Sequence, residues 1–144
     1  MNTTKIDNAT RLREWARGLY TTEAAAELLI RAMSGRLMNG PWIGCEDDGT
    51  VWFDTSQVRE AGYLSGGERR LLDLAASLSA DRPVHLGDTL TGLDRSTVVL
   101  VLAAMAHAAG THEHSRMTTE ATTGRPTGFE QLTSLYPWPT DQIA

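Results

Sequence analysis

The stretch from Val98 to Ala109 is almost entirely apolar and is bounded by residues that begin and end helices. Asp94 stands before it as an N-terminal cap, and Gly110 follows it as a residue suited to the left-handed backbone at a helix end. A helix over 95–109 that is apolar on all sides must be covered by other elements. About twelve apolar residues are too few to span a bilayer, which needs about twenty. The sequence therefore predicts a mainly helical fold with this helix as its buried centre.

Apolar residues recur at helical spacing in several other segments, and polar residues that cap helices precede them. Ser65 and Glu68 have the spacing of a capping box, in which a hydroxyl and a carboxylate satisfy the first free amides of a helix. Thr127 and Glu130 repeat that spacing near the end of the chain. The predicted helices are 9–20, 23–37, 65–79, about 86–92, 95–109 and 127–136, with a short helix after Asp54 that ends near Gly62.

One β-hairpin is predicted, with strands Trp42–Glu46 and Thr50–Phe53 on either side of Asp47-Asp48-Gly49. These strands are rich in aromatic and β-branched residues, and glycine suits a turn that requires positive φ. The fold class is therefore mainly α (α+β), a helical domain with one hairpin. We expect a single domain over 1–144, with residues 1–7 and 111–126 flexible.

The composition indicates a folded protein with an acidic balance. Hydrophobic residues make up 41% of the chain and charged residues 22%, which is ordinary for a globular domain. The net charge of −5 lowers the expectation of nucleic-acid binding, which requires clustered positive charge. Cys45 is the single cysteine, which excludes an intrachain disulfide and a multi-cysteine zinc site. The first residues lack the apolar core of a signal peptide, so we expect a cytoplasmic protein without a membrane partner.

Residues Leu64–Arg70 read Leu-Ser-Gly-Gly-Glu-Arg-Arg, which is similar to the signature motif of ABC-type ATPases. Asp88 and the later pair Leu93-Asp94 resemble that family's Walker B segment and the Leu-Asp that follows it. ATP hydrolysis would require a phosphate loop of the form G-x-x-x-x-G-K-[ST], which the sequence lacks, and Thr89 stands at the position of the catalytic carboxylate. A capped helix start explains the motif without nucleotide, so we interpret the similarity as coincidental.

The helices predicted at 65–79, about 86–92 and 95–109 resemble the tri-helical core of winged helix-turn-helix proteins over residues 65–110. Residues Gly92–Val98 resemble the turn and the entry to the recognition helix of that family. The resemblance implies a helix-turn-helix-like tri-helical core and DNA contacts from Arg95, Ser96 and Thr97.

The charge of this region agrees less well with DNA binding. A recognition helix presents basic and polar side chains to the major groove, whereas the rest of this helix is apolar. Residues 66–110 contain four arginines and five acidic residues, so they form no basic footprint. A winged-helix-like DNA-binding regulator, with further arginines from Arg11, Arg13 and Arg17, is therefore the second functional hypothesis.

Three histidines, His107, His112 and His114, are close in sequence at the end of the apolar helix. Three imidazoles suffice for an open zinc or transition-metal site, so a metal-dependent enzyme is a third hypothesis. The alternative is that His107 interacts with the final carbonyls of its helix and that the other two lie in a solvated loop. We favour this alternative and expect neither a metal nor another cofactor.

Aromatic residues provide the candidates for contact with a partner protein. Trp42 and Trp52 flank the hairpin and are candidates for a cross-strand pair. Tyr136 and Trp138 belong to an apolar segment near the end of the chain, which either folds back over the core or anchors a partner.

The layout of the whole chain also resembles small uncharacterised proteins of actinobacteria and their phages. Together with the lack of a complete catalytic constellation or a basic face, it favours a non-catalytic accessory protein of phage or bacterial origin. We expect it to act as a protein–protein interaction module.

Overall fold

The computed structural model of the protein describes residues 3–59 and 64–140. Within them the chain forms five α-helices and two antiparallel hairpins, an α+β fold. The helices are α1 (Thr3–Ala16), α2 (Tyr20–Arg31), α3 (Gly66–Ser79), α4 (Leu86–Leu90) and α5 (Arg95–Ala108). The strands are β1 (Ile43–Cys45), β2 (Val51–Phe53), β3 (Ser115–Thr119) and β4 (Pro126–Gln131), and short 3-10 segments occupy Ala32–Asn39, Thr55–Gln57 and Thr111–Glu113.

Helix α2 lies at the centre of the helical packing. It contacts α3 and α5 most extensively, and α1 packs against it as well. Its three consecutive alanines, 24–26, are buried together with Leu28 and Leu29, and such small side chains let neighbouring helices approach closely. The sequence predicted that the helix from 95 to 109 would be the buried centre. That prediction is wrong, because Leu102 and Met105 on α5 are exposed.

The three helices that resemble a helix-turn-helix core occur in the expected order. The middle one, α4, is short and contacts α3. Both α3 and α5 pack mainly on α2, which lies outside residues 65–110. The tri-helical resemblance stays a prediction, since helix order agrees with it while the principal packing runs through a helix it does not include.

The hairpin predicted around Gly49 is confirmed. Strands β1 and β2 pair antiparallel with Ile43 opposite Phe53, and Gly49 has a φ of 90°, a conformation that residues with a Cβ rarely adopt. Strand β2 packs against α1. Its side chains Val51 and Phe53 are buried and join the helical core.

The predicted helix ends of α3 and α5 are also confirmed. The Ser65 hydroxyl accepts a hydrogen bond from the amide of Glu68 at 3.2 Å and donates one to the Glu68 carboxylate at 3.0 Å. The Asp94 carboxylate accepts from the amide of Thr97 at 2.8 Å. Gly110 follows α5 with a φ of 72°, in the left-handed region. These contacts satisfy backbone groups that a helix end leaves without partners.

Helix α2 ends earlier than its apolar pattern predicts. The prediction continued the helix to residue 37, but Met33, Ser34 and Gly35 all have positive φ. A helix cannot continue through a left-handed stretch, so the chain proceeds as 3-10 turns. The buried residues Leu37 and Met38 of this segment nevertheless pack in the core.

Two predictions for the C-terminal third are wrong. The loop expected at 111–126 contains a 3-10 turn and strand β3, and the helix expected at 127–136 is replaced by β4 and an irregular segment. The residues that suggested a capping box form cross-strand contacts instead. The hydroxyls of Thr127 and Thr118 lie 2.9 Å apart, and Glu130 accepts a hydrogen bond from an arginine of β3 at 2.8 Å. Cross-strand pairing thus takes up the groups that would have capped a helix.

Helix α1 begins at Thr3, ahead of the start predicted at Ala9, so residues 3–7 are helical. Residues 1 and 2 of the segment expected to be flexible lie outside the described residues, as does Gly62, where the short helix after Asp54 was predicted to end. No helix within residues 3–59 and 64–140 combines the length and the apolar character of a membrane span.

Candidate functional site

An apolar groove lies between α3 and α5. Leu28 of α2 lies in it, Leu74 and Leu78 of α3 line one side, and Met105 of α5 lines the other. Val84, in the connection between α3 and α4, contributes to the lining as well. The groove encloses about 420 Å³ and is open to solvent. Leu28 itself is fully buried, so the large apolar side chains that the groove leaves exposed are Met105 of α5 and Leu86 of α4.

The rim of this groove exposes large apolar side chains. Met105 is 48% exposed, and Leu86 on α4 is exposed as well. Leu102 on α5 is also exposed but does not line the groove. Between Ser96 and Ala106, α5 has no charged residue that would make this side favourable in water. Surfaces of exposed apolar residues with few charges are typical of sites where proteins bind other macromolecules.

Sequence reasoning missed this groove because it interpreted an apolar helix as a buried one. Such a pattern requires only that the helix be covered, and it does not say whether the same chain or a partner covers it. A signal was present, since no further strongly apolar helix was predicted that could cover the outer side of α5.

The residues proposed for DNA contact occupy the start of α5. Thr97 is only 4% exposed, so it faces the protein rather than a ligand. The Ser96 hydroxyl donates to Asp94 at 2.9 Å and helps to hold the helix cap. Arg95 is exposed. Beyond Arg95, the exposed side of α5 presents leucine and methionine, which do not provide the polar contacts by which a recognition helix reads bases.

The two hairpin tryptophans have different environments. Trp42 is 1% exposed, and its indole N–H donates to the carbonyl of Leu37 at 2.6 Å, so it belongs to the core and is inaccessible to a partner. Trp52 is half-buried and lies opposite Gly44, against which its ring packs. The expected cross-strand pair of tryptophans is therefore not formed, because Trp42 lies before β1.

The segment that carries Trp138 folds back onto the helical body. Trp138 packs against the core, and the guanidinium carbon of Arg31 lies 5.3 Å from the centre of its ring, a cation–π contact. Arg31 also donates a hydrogen bond to the carbonyl of Pro139 at 3.0 Å. Of the two C-terminal candidates for partner contact, Tyr136 is the more exposed.

Two of the three histidines come together, but not as metal ligands. The rings of His107 and His112 stack 4.2 Å apart at an interplanar angle of 12°. A metal binds in the plane of an imidazole, so two parallel stacked rings do not direct their nitrogens to a shared point. His107 Nε2 lies 2.7 Å from a carboxylate oxygen of Glu23, and His114 is exposed at the start of the second hairpin. Among the described residues, no group of three or more potential ligands is placed to hold a metal ion.

The second hairpin, β3–β4, is exposed almost throughout. Met117 lies directly opposite Phe129, and Phe129 is 79% exposed. At the base of the hairpin, the amide of Leu132 donates to the carbonyl of His114 at 2.8 Å. A two-stranded hairpin that no other layer covers is marginally stable. This exposed apolar pair is a second feature that the prediction of a loop and a helix could not reveal.

Glu27 of α2 binds two arginines, Arg13 of α1 and Arg31 of its own helix. Arg13 donates from Nε to one carboxylate oxygen at 2.6 Å, and Arg31 donates from Nε to the other at 2.6 Å. Burial alone would raise the pKa of Glu27, but the hydrogen bonds and charges of the two arginines outweigh it and hold that pKa below its ordinary value of 4.5.

We expect the contacts of Glu27 to make the free energy of unfolding decrease as the pH falls. A carboxyl group whose pKa is lowered by folding stabilises the native state fully above its unfolded pKa, and this contribution is lost as the pH falls through the folded value. Between pH 6 and about pH 3, urea unfolding will therefore show a smaller decrease in the free energy of unfolding for Glu27→Gln than for the wild-type protein. Glu130→Gln, at an exposed ion pair of the second hairpin, is the control and will follow the wild-type curve. Parallel curves for wild type and Glu27→Gln would contradict the prediction.

These features describe a protein with an apolar groove, an exposed second hairpin and a cluster of ion pairs around Glu27. Comparison with known proteins finds no matching family model, no matching curated protein and no matching solved structure.

Proposed function

We propose that this protein is a non-catalytic accessory protein that binds another protein through the groove between α3 and α5. The observation that carries the proposal is the set of exposed apolar side chains that line the groove, of which Met105 and Leu86 are the largest. Leaving them in water is unfavourable, by about 25 cal/mol for each Å² of apolar surface. A partner that covered them would recover this free energy.

The proposed occupant is an amphipathic helix of the partner. A groove with a helix on either side and a third helix contributing Leu28 offers the position of a further packed helix. Helices bind such grooves through apolar residues spaced three and four positions apart. The α5 wall provides no charge, whereas Asp81 is exposed just before the segment that lines the groove. We therefore expect basic residues beside the apolar stripe of the partner helix.

Selection from a displayed library of amphipathic helical peptides tests the proposal directly. Wild-type protein is expected to enrich peptides with an apolar stripe and a basic flank. Met105→Glu is expected to weaken the selected peptides at least tenfold, or about 1.4 kcal/mol, because it places a charge on the groove wall. Binding is measured by fluorescence anisotropy. Since Met105 is half exposed, the variant should keep the wild-type circular dichroism spectrum.

Phe129→Ser provides the matched control, because it removes an exposed apolar side chain from the second hairpin and leaves the groove intact. It should bind the selected peptides like the wild-type protein. Enrichment of no helical peptide, or peptides that bind Met105→Glu unchanged, would refute the groove as the binding site. A parallel selection with random DNA duplexes tests the DNA hypothesis. Salt-sensitive enrichment that Arg95→Ala abolishes would support DNA binding instead.

A further inference from the structure

A second concave site lies away from the apolar groove, between α1 and α2, and we call it the arginine cleft. It encloses about 270 Å³. The buried small residues Ala16 and Ala26 contribute apolar lining, and Arg13, Arg17 and Arg31 line it together with Trp138. Convergence of three arginines on one cleft is notable in a chain whose net charge is −5.

The carboxylates of Glu23 and Glu27 also line the cleft, but both oxygens of each carboxylate already have partners. Glu27 is held by Arg13 and Arg31, as described above. One oxygen of Glu23 accepts from the amide of Gly18 at 3.0 Å, and the other lies 2.7 Å from His107 Nε2. Burial alone would raise the pKa of Glu23, but these contacts hold it below its ordinary value. Both carboxylates are therefore ionised at neutral pH and compensate two of the three arginine charges.

The remaining positive charge is that of Arg17. Within residues 8–59 and 64–140 its side chain has no hydrogen bond and no ion pair. It follows the last turn of α1 and is exposed, so it can approach a ligand without breaking an existing contact. The three arginines and two carboxylates of the cleft thus leave a surplus of one positive charge.

Trp138 gives the cleft an aromatic wall. Its ring packs under the guanidinium of Arg31, and the hydrogen bond from Arg31 to the Pro139 carbonyl fixes the same segment. His107 lies beside this wall, with its ring centre 6.3 Å from that of Trp138. A flat apolar body would therefore find an indole and two alanine methyl groups in the cleft, with the Arg17 charge at its edge.

We propose that the arginine cleft binds a small organic carboxylate, a monoanion with a flat apolar body. Its carboxylate pairs with Arg17, and its body lies against Trp138, Ala16 and Ala26. The single negative charge of the ligand balances the one surplus positive charge of the lining. A doubly charged phosphate monoester would leave one negative charge uncompensated beside Glu23 and Glu27. The proposal is independent of the partner helix in the apolar groove.

Titration with benzoate tests the cleft, with benzamide as a neutral analogue of the same shape. The measurement is the indole N–H resonances of ¹⁵N-labelled protein, with that of Trp138 assigned by its loss in Trp138→Phe. Benzoate is expected to shift the Trp138 resonance while leaving that of the buried Trp42 in place. Benzamide is expected to bind at least ten times more weakly.

Arg17→Gln should reduce benzoate affinity at least tenfold, and Arg17→Lys should restore part of it. Arg116→Gln, which removes one arginine from the exposed second hairpin, is the control for net charge and should leave benzoate binding unchanged. The proposal fails if benzoate and benzamide bind with the same affinity, or if Arg17→Gln and Arg116→Gln reduce the benzoate affinity equally. It also fails if phenyl phosphate binds more tightly than benzoate.

Discussion

Replacing Trp42 with alanine is expected to lower the free energy of unfolding by about 3–5 kcal/mol, the usual loss for a large buried aromatic side chain. Its ring is almost fully buried and lies directly against Gly40, so the surrounding backbone leaves little room to collapse into the cavity. The substitution also removes the indole N–H that donates a hydrogen bond to the carbonyl of Leu37. An unsatisfied buried carbonyl adds to the cost.

Urea denaturation followed by circular dichroism measures this loss without relying on tryptophan fluorescence. Trp15→Ala is the matched control, because Trp15 is a tryptophan on α1 with an exposed side chain. Its expected loss is below about 1 kcal/mol, as for most surface substitutions. Trp42→Phe should lie between the two, since it keeps most of the ring and loses the N–H. Equal losses for Trp42→Ala and Trp15→Ala would show that Trp42 does not anchor the core.

Local signals in the sequence predicted the helix ends and the first hairpin well. The Ser65 and Asp94 caps, Gly110 and the Gly49 turn depend on contacts between residues close in the chain, so the pattern contains the information needed. The left-handed stretch that begins at Met33 could not be predicted in this way. Met33 has no intrinsic preference for positive φ, and tertiary packing of the following buried residues selects that conformation.

The second hairpin shows why a local pattern can mislead. Thr127 and Glu130 have the spacing of a capping box, yet the same groups pair with residues of β3 that precede them by several positions. Whether this segment forms a helix or a hairpin depends on pairing with β3, and the spacing of capping residues gives no information about that pairing. Phe129 in β4 favours a strand, but one aromatic residue was a weak signal among polar neighbours.

The candidate sites were less predictable than the fold, because each joins residues from distant parts of the chain. Leu28 and Met105 meet in one groove, and Arg17 and Trp138 meet in one cleft. The sequence named Trp138 as a candidate but assigned it to partner contact without its arginine neighbours. It also named His107, which the structure places beside Glu23 and stacked on His112 rather than at a metal centre.

Replacing Leu28 with alanine is expected to lower the free energy of unfolding by about 2–5 kcal/mol, because the side chain is fully buried between helices that both pack on α2. Leu86→Ala removes the same atoms from the exposed lining of the groove and should cost less than about 1 kcal/mol. Urea unfolding of both variants gives the two values. Similar losses would mean that Leu86 is covered by the protein itself and that the groove is not free for a partner. A large loss of free energy of unfolding for Leu28→Ala alone would show that Leu28 stabilises the fold beneath the groove, whereas the exposed residues of the lining remain available for binding.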